Sequence, residues 1–325
     1  MGKADIARQY RDKYGMEMPT LKLARIMYNE NKLTFKDVED ARSALREIEG
    51  KHGKSKRYVV SHSYVERSKN PYNLPKSEET DATPYFITGV KRLGILTDIH
   101  IPYHNIEALS LAIKYLKDQK VDCLLLNGDA IDCHKLSRYI KDPKKRDFAY
   151  ELDTFKTVFD VLKKELDCRI IFKIGNHEAR YENFLIEKAH ELKGISEFEF
   201  ENILKARAEG ITVVKSKQLI IANNLAILHG HELTGGSFSP VNIARGLYNK
   251  VKVDALQGHN HQTSTNIEPN LHGEVVRTHS IGCLCELHPE YMPINRWNWG
   301  MAMVELSSDS YLLHNKYITK DGKVV

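Results

Sequence analysis

The spacing of apolar positions changes twice along the chain. Over residues 5–50, Ile6, Leu21, Leu23, Ala24, Ile26, Met27, Leu33, Phe35, Val38, Ala41, Leu45 and Ile48 fall in helix-compatible groups, interrupted at Gly15 and Pro19. Thr34 followed three residues later by Asp37 predicts a helix over Phe35 to Glu49, since a Thr hydroxyl can accept from a free N-terminal amide; Gly50 ends it. Residues 67–88 lose the period and hold Pro71, Pro75 and Pro84 among Ser, Lys, Glu, Thr and Asp, the texture of a linker. From Lys91 strand and helix patterns alternate. Leu93-Gly94-Ile95-Leu96 reads as a buried strand, Glu107 to Leu116 as a helix, Cys123 to Leu126 as a strand, Phe148 to Leu166 as a helix and Arg169 to Ile174 as a strand. That alternation implies parallel pairing in a layered α/β core. Residues 181–209 are charged and helix-like, which predicts a lid or insertion, and a β-rich stretch follows from Ile211 to Lys316, with one helix near Val241–Val251. The expected plan is a helical module over 1–66, a linker over 67–88 and an α/β domain over 89–325.

Composition narrows this plan. With 325 residues, 42% hydrophobic and 28% charged, the chain can bury a sizeable core without covalent staples. The absence of an apolar run of 18 residues excludes a helical membrane span, and the mixed charges of the first 15 residues do not form a secretory signal. The five cysteines are an odd set without zinc-finger spacing, Cys283 and Cys285 being only C-x-C, so reduced thiols in the cytoplasm are expected. Charge is uneven: residues 1–70 carry 16 Lys/Arg against 10 Asp/Glu, and the remainder 32 against 33. The run from Lys51 to Arg57 is strongly basic. Short helices ending in a basic arm fit a helix-turn-helix-like DNA contact, and equally a helical cap or an oligomerisation element.

The polar residues that carry chemistry gather at predicted strand ends. Asp98-Ile99-His100 follows the first strand, Gly128-Asp129-Ala130-Ile131-Asp132 the second and Gly175-Asn176-His177-Glu178 the third; later strands lead into His229-Gly230-His231-Glu232 and Gly258-His259-Asn260-His261. The carboxyl ends of strands in an α/β sheet line one crevice. Carboxylate, imidazole and amide oxygen suit Mn²⁺, Fe or Zn²⁺. On an extended segment, D-x-H and H-x-H would present alternate side chains together, and the four glycines would permit tight turns where each strand releases its chain.

The ordered set D-x-H, GD-x-x-D, GNHE, HGH, GH-x-H resembles the calcineurin-like metallophosphoesterase superfamily over residues 92–318, and the stretch Glu290–Gly300 looks similar to the tail of phage- and prophage-encoded members, which often carry a helical N-terminal extension like residues 5–50. The resemblance implies a four-layer β-sandwich of two mixed sheets flanked by helices, and two divalent ions, Mn²⁺ foremost, with Fe, Zn²⁺ or Mg²⁺ as alternatives. It implies that Asp98, His100 and His261 bind one ion and Asn176, His229 and His259 the other, with Asp129 bridging. His177 resembles the family's catalytic histidine and Asp132 the carboxylate that orients it, while His231 would face substrate or support the ligands. Two cations about 3.5–4 Å apart can lower the pKa of a shared water, so the expected reaction is hydrolysis of a phosphate ester by a bridging hydroxide, with His177 donating a proton to the leaving oxygen. Protein phosphatases of the superfamily carry Arg after GD-x-x-D; Cys133 stands there instead, which counts against that branch. Arg180 could hold the phosphate in its place, with Arg138 and Arg296 weaker candidates. Both tryptophans lie in the segment Glu290–Gly300, where they either pack on the sheet or form a platform for a base. The leading expectation is a phosphodiesterase or nuclease acting on nucleic acid, in the host cytoplasm if phage-encoded. The alternatives are a phosphomonoesterase or small-nucleotide phosphodiesterase, and a DNA-binding protein with an inactive phosphoesterase fold; oligomeric state stays open.

Overall fold

The computed structural model describes residues 2–15, 18–49, 74, 75, 78, 83–138, 146–233, 241–308 and 310–325. The basic run Lys51–Arg57 and most of the segment read as a linker lie outside them. Contacts divide the chain into two units, Met1–Glu79 and Thr80–Val325.

The first unit contains α1 (Lys3–Tyr14), α2 (Thr20–Glu30) and α3 (Val38–Ile48). Their apolar stripes close a small core of Ile6, Leu23, Met27, Phe35, Ala41 and Leu45. Helix α3 starts later than Thr34 predicts. Asp37 is its N-cap, accepting from the Asp40 amide at 2.8 Å, because a carboxylate at the true helix start outcompetes an upstream hydroxyl. Arg11 is buried and donates through Nε to Glu49 at 2.7 Å, and Thr20 donates to the same carboxylate at 2.9 Å.

The second unit is built on two six-stranded sheets. The elements in order are β1 (Tyr85–Ile87), β2 (Arg92–Leu96), α4 (Ile106–Asp118), β3 (Cys123–Asn127), α5 (Phe148–Leu166), β4 (Arg169–Lys173), α6 (Ala179–Lys188), α7 (Phe200–Arg207), β5 (Thr212–Val214), β6 (Ile220–Ala222), β7 (Leu225–Leu228), α8 (Ile243–Val251), β8 (Ala255–Gln257), β9 (Ser264–Pro269), β10 (Val275–Ser280), β11 (Trp299–Leu306) and β12 (Tyr311–Ile318). One sheet runs β12-β11-β2-β3-β4-β5 and the other β1-β6-β7-β8-β10-β9. Strands β2 to β5 pair in parallel, as the alternation with helices requires, and β11 and β12 close that sheet antiparallel.

Strand β3 shows why the layers form. Its residues are all buried, and their period-2 alternation serves two cores at once. Cys123 and Leu125 join Leu93, Ile95 and Ile171 against Ile220, Leu225, Ile227 and Leu256 of the facing sheet. Leu124 and Leu126 point the other way, into a core with Ala112 and Leu116 of α4 and Phe155 and Phe159 of α5. On the outer face of the second sheet, Ala226 and Leu228 pack on Leu247 of α8. The result is the two-sheet sandwich flanked by helices that the resemblance implies.

Two local expectations are corrected. The linker texture runs through residue 88, yet Tyr85–Ile87 pairs in parallel with Ile220–Ala222. Residues 181–209 do not form a lid: Tyr181, Leu185, Phe200 and Leu204 are buried in the main core, with the Tyr181 and Phe200 rings 5.4 Å apart. Exposed charges on the outer face hid that apolar stripe.

Candidate metal centre

Five strands of the two sheets end at one edge, and each releases its chain into a turn that carries one or more of the predicted residues. Asp98 and His100 follow β2, Asp129 and Asp132 follow β3, Asn176 and His177 follow β4, His229 follows β7, and His259 and His261 follow β8. The D-x-H and H-x-H pairs are not extended. Asp98, His100, Asp129, His259 and His261 all have φ between 51° and 66°. Left-handed backbone at a non-glycine residue is uncommon and costs of order 1–3 kcal/mol, a strain that collects at functional sites. The paired residues therefore converge through left-handed turns, which an apolar pattern does not encode. The glycines also differ from expectation. Gly128 does adopt φ 85°, but at Gly175 the need is close approach: a Cβ there would collide with the Asp129 side chain and backbone.

The side chains form two adjoining groups. In the first, Asp98 is fully buried; its Oδ2 accepts from Thr97 Oγ1 at 2.7 Å and from the His259 amide at 2.9 Å. Its Oδ1 has no hydrogen-bond partner and lies 3.1 Å from His261 Nε2. His100 donates from Nδ1 to Asp132 at 3.0 Å, which leaves Nε2 facing His261 Nε2 at 3.3 Å. In the second group, His229 donates from Nδ1 to the Asn127 carbonyl at 2.8 Å. A carbonyl can only accept, so Nε2 is the free end, and it faces Asn176 Oδ1 at 3.1 Å and Asp129 Oδ2 at 3.2 Å. Asp129, His229 and His259 bring ligand atoms within 4.8 Å of one another, as do His100, Asp129 and His177, so Asp129 adjoins both groups.

This donor set fits a pair of cations. Nitrogen and oxygen ligand atoms converge on two adjoining points, in surroundings that strongly favour positive charge. Although burial opposes it, Asp129 pushes His229 up to about 10 and Asp98 pushes His261 up to about 10. His100 and His229 are each oriented by an acceptor on Nδ1, the usual support of a metal-binding histidine.

His177 sits beside these groups. Its backbone amide donates to Asp129 Oδ1 at 2.9 Å, and its Nδ1 lies 2.9 Å from the Asp132 carbonyl and 3.1 Å from Asp132 Oδ1. Burial pushes the Asp132 carboxyl up, but hydrogen bonds from His100 and His177 prevail and hold it well below the ordinary range. Arg180 donates to His177 Nε2 and to the Asp132 carbonyl, both at 2.9 Å. His231 does not reach either group directly; its Nε2 pairs with Ser216 Oγ at 2.8 Å, and burial pushes it down to about 4.

Several supporting residues escape the sequence reading. Glu178 is buried and accepts from the amides of Gly175, Asp129 and Ile131 at 2.8, 3.0 and 2.9 Å. Glu232 does the same for His229 and Gly230 at 3.1 and 2.6 Å, and pairs with the fully buried Lys173 at 2.9 Å. Both glutamates stand three residues after the residue whose amide they receive, a signal present in GNHE and HGHE. Cys285 Sγ lies 3.9 Å from His261 Nδ1, and the Trp297 ring 4.1 Å from the His261 ring. Arg138 borders a cavity with Asn176 and Arg180.

The chain belongs to the calcineurin-like phosphoesterase family, whose model matches residues 91–273. It is a metal-dependent hydrolase of phosphate esters, acting with divalent metal ions. Two curated relatives are the Gene 54 proteins of Mycobacterium phages L5 and D29, each 25% identical over 234 residues, covering 67% of this chain and 89% of theirs. Among solved structures, a dimetal phosphatase from Danio rerio is 13% identical, covering 70% of this chain and 96% of that one, with a TM-score of 0.36. The E. coli phosphoesterase Yfce is 12% identical over 72% of this chain and 96% of its own, with a TM-score of 0.36. Among the described residues no helix is long and apolar enough to cross a membrane.

Proposed function

We propose that Asp98, His100 and His261 hold one divalent ion and Asn176, His229 and His259 a second, with Asp129 serving both, and that the enzyme is a phosphodiesterase acting on nucleic acid. The observation that carries the metal assignment is the pair of converging nitrogen and oxygen groups, above all the buried Asp98 Oδ1 facing His261 Nε2 at 3.1 Å. The direct donors are nitrogen and oxygen, which suit Mn²⁺, Fe or Zn²⁺, and Mn²⁺ is the ion proposed. A bound pair supplies Lewis acidity to the phosphate and activation to water.

The chain's own residues do the rest. Asp132 accepts from His177 Nδ1 and fixes the ring so that Nε2 faces the Arg180 guanidinium. While that contact lasts, Nε2 is an acceptor and cannot donate. A phosphate oxygen arriving beside Asn176 would draw Arg180 off His177, and Nε2 could then hold a proton for the leaving oxygen. Arg180 so couples phosphate binding to His177. The nucleic-acid assignment is supported by the basic excess of residues 1–70 and by the cavity of about 580 Å³ bordered by Asn176, Arg180 and Lys188.

The test compares turnover of an aryl phosphodiester, an aryl phosphomonoester, and single- and double-stranded DNA with Mn²⁺. The diester should be cut faster than the monoester, and DNA should be cleaved. Preference for the monoester without DNA cleavage would instead make this a phosphomonoesterase. Asp129→Ala should lose bound metal and turnover together.

A further inference from the structure

A second cavity, of about 370 Å³, is lined in part by His100 and Asp132. Its walls include Pro102, Tyr103, His104, Tyr291 and Trp297. This is a different chemistry from the cavity at Asn176, whose wall carries Arg180 and Lys188 together with Glu187. The first wall presents aromatic rings beside the Asp132 and Glu286 carboxylates, and the second presents Arg138, Arg180 and Lys188 among amide and apolar groups.

The aromatic wall is held in place. The Trp297 ring packs on His261 at 4.1 Å and 60°, and its amide donates to Asn295 Oδ1 at 2.9 Å. Asn295 in turn donates to the carbonyls of Leu287 and Met292 at 2.6 and 2.8 Å, which closes the loop that carries Tyr291. Tyr291 meets Trp297 edge-on at 6.4 Å and is 72% exposed. A fixed indole with an exposed phenol beside it, opening on a reactive centre, is suited to a flat ring.

We infer that this cavity is a nucleobase subsite: one substituent of the scissile phosphodiester places its base against Trp297 and Tyr291, and the backbone continues past Arg180 and Lys188. The inference rests on the phosphodiesterase reading. The volume lies at the low end of ligand pockets, which run from about 300 to 1,000 Å³, and is enough for a nucleobase. A base stacked there comes from a single-stranded site or a small nucleotide ester.

The experiment uses the full chain with Mn²⁺ and the dinucleotide thymidylyl-thymidine, together with two analogues in which one or the other nucleoside lacks its base. Loss of the base on one particular side should lower kcat/KM about tenfold or more, the scale of a base–aromatic stack, and loss on the other side much less. Trp297→Ala and Tyr291→Ala should each shrink that ratio, and Trp297→Phe should keep most of it. The ratio is taken within one variant, so a general loss through His261 cancels. Equal turnover of all three dinucleotides by the wild type would overturn the subsite and leave the phosphodiesterase standing. If no diester is cut with any divalent metal, the functional reading fails first. Calorimetry then decides the subsite: thymidine 5′-phosphate should bind more tightly than deoxyribose 5-phosphate, and equal affinity would overturn it. Once the base dependence is established, faster cutting of oligothymidylate than of the dinucleotide assigns the base to a strand, and the reverse to a small ester.

Discussion

His229 Nε2 faces two oxygens, and in the metal-free chain only a proton can relieve that contact. The same holds for His261 beside Asp98. Both imidazoles are pushed up to about 10, from an ordinary value near 6.5. The sign follows directly. Between about pH 6.5 and 10 the metal-free fold retains protons that the unfolded chain releases, so these groups stabilise it fully below about 6.5 and progressively less towards 10. A divalent ion must displace those protons, so metal affinity should rise with pH over the same window. Calorimetry at pH 8 in buffers of different ionisation enthalpy should show release of about two protons per chain on Mn²⁺ binding; no release would contradict the assignment of His229 and His261. His177 offers a second measurement. His177→Ala should keep its metal and lose roughly 10²- to 10⁴-fold in kcat for esters with poor leaving groups. Arg180→Ala should raise KM as well as lower kcat, because the guanidinium meets both His177 and the incoming phosphate. Full activity of His177→Ala on such esters would remove it as the acid.

At the scale of elements, the turns after β4 and β7 share one construction: a glutamate folds back on the amides that shape the turn, and Lys173 at the end of β4 joins the second of them. Removing Glu178 strands three buried amides. Glu178→Ala should therefore lower unfolding stability by about 3 kcal/mol or more, visible in denaturant titration, and weaken Mn²⁺ binding through Asp129. Lys173→Met leaves Glu232 buried and unpaired, at a cost of about 3–5 kcal/mol, and should loosen the His229 turn; a stability change below 1 kcal/mol would show the pair to be dispensable. These turns mark the boundary of what can be read from the chain. Strands such as Cys123–Asn127 and the polar residues at their ends are legible, because burial imposes apolar runs and the parallel connections send all the ends to one edge. The left-handed φ of Asp98, His100 and Asp129 leaves no trace in an apolar pattern. Nor does the role of Glu178, which depends on which amides a turn exposes. The strand Tyr85–Ile87 is only three residues long and follows Pro84, too short to show a period. Thr34 and Asp37 are both competent caps, so residue type alone does not separate them.

For the whole molecule the open question is what a basic N-terminal unit contributes to a proposed metal centre built from residues at and after Asp98. Residues 71–325 are nearly balanced in charge, so the net positive charge of the chain comes from residues 1–70, and Lys51, Lys54, Lys56 and Arg57 concentrate it. Three accounts compete: a tether for nucleic acid, a cap over the site, and a dimer contact. They differ in what deletion of residues 1–79 does. The second unit has its own cores and should retain fold and metal. A tether acts only on substrates long enough to reach it. Dinucleotide turnover should then stay unchanged, while affinity for long single strands falls. Four lost phosphate contacts would also reduce the slope of log K against log salt by roughly 3, since each contact on a single strand contributes about 0.7. A cap predicts the reverse, a change in kcat/KM for the dinucleotide with the salt slope intact, because a cap acts on every substrate that enters. A dimer contact predicts a concentration-dependent change in mass with neither effect. Binding isotherms at several salt concentrations, run beside dinucleotide kinetics and sedimentation, separate the three. An unchanged salt slope would remove the tether, and with it the strongest argument from charge for a long nucleic-acid substrate.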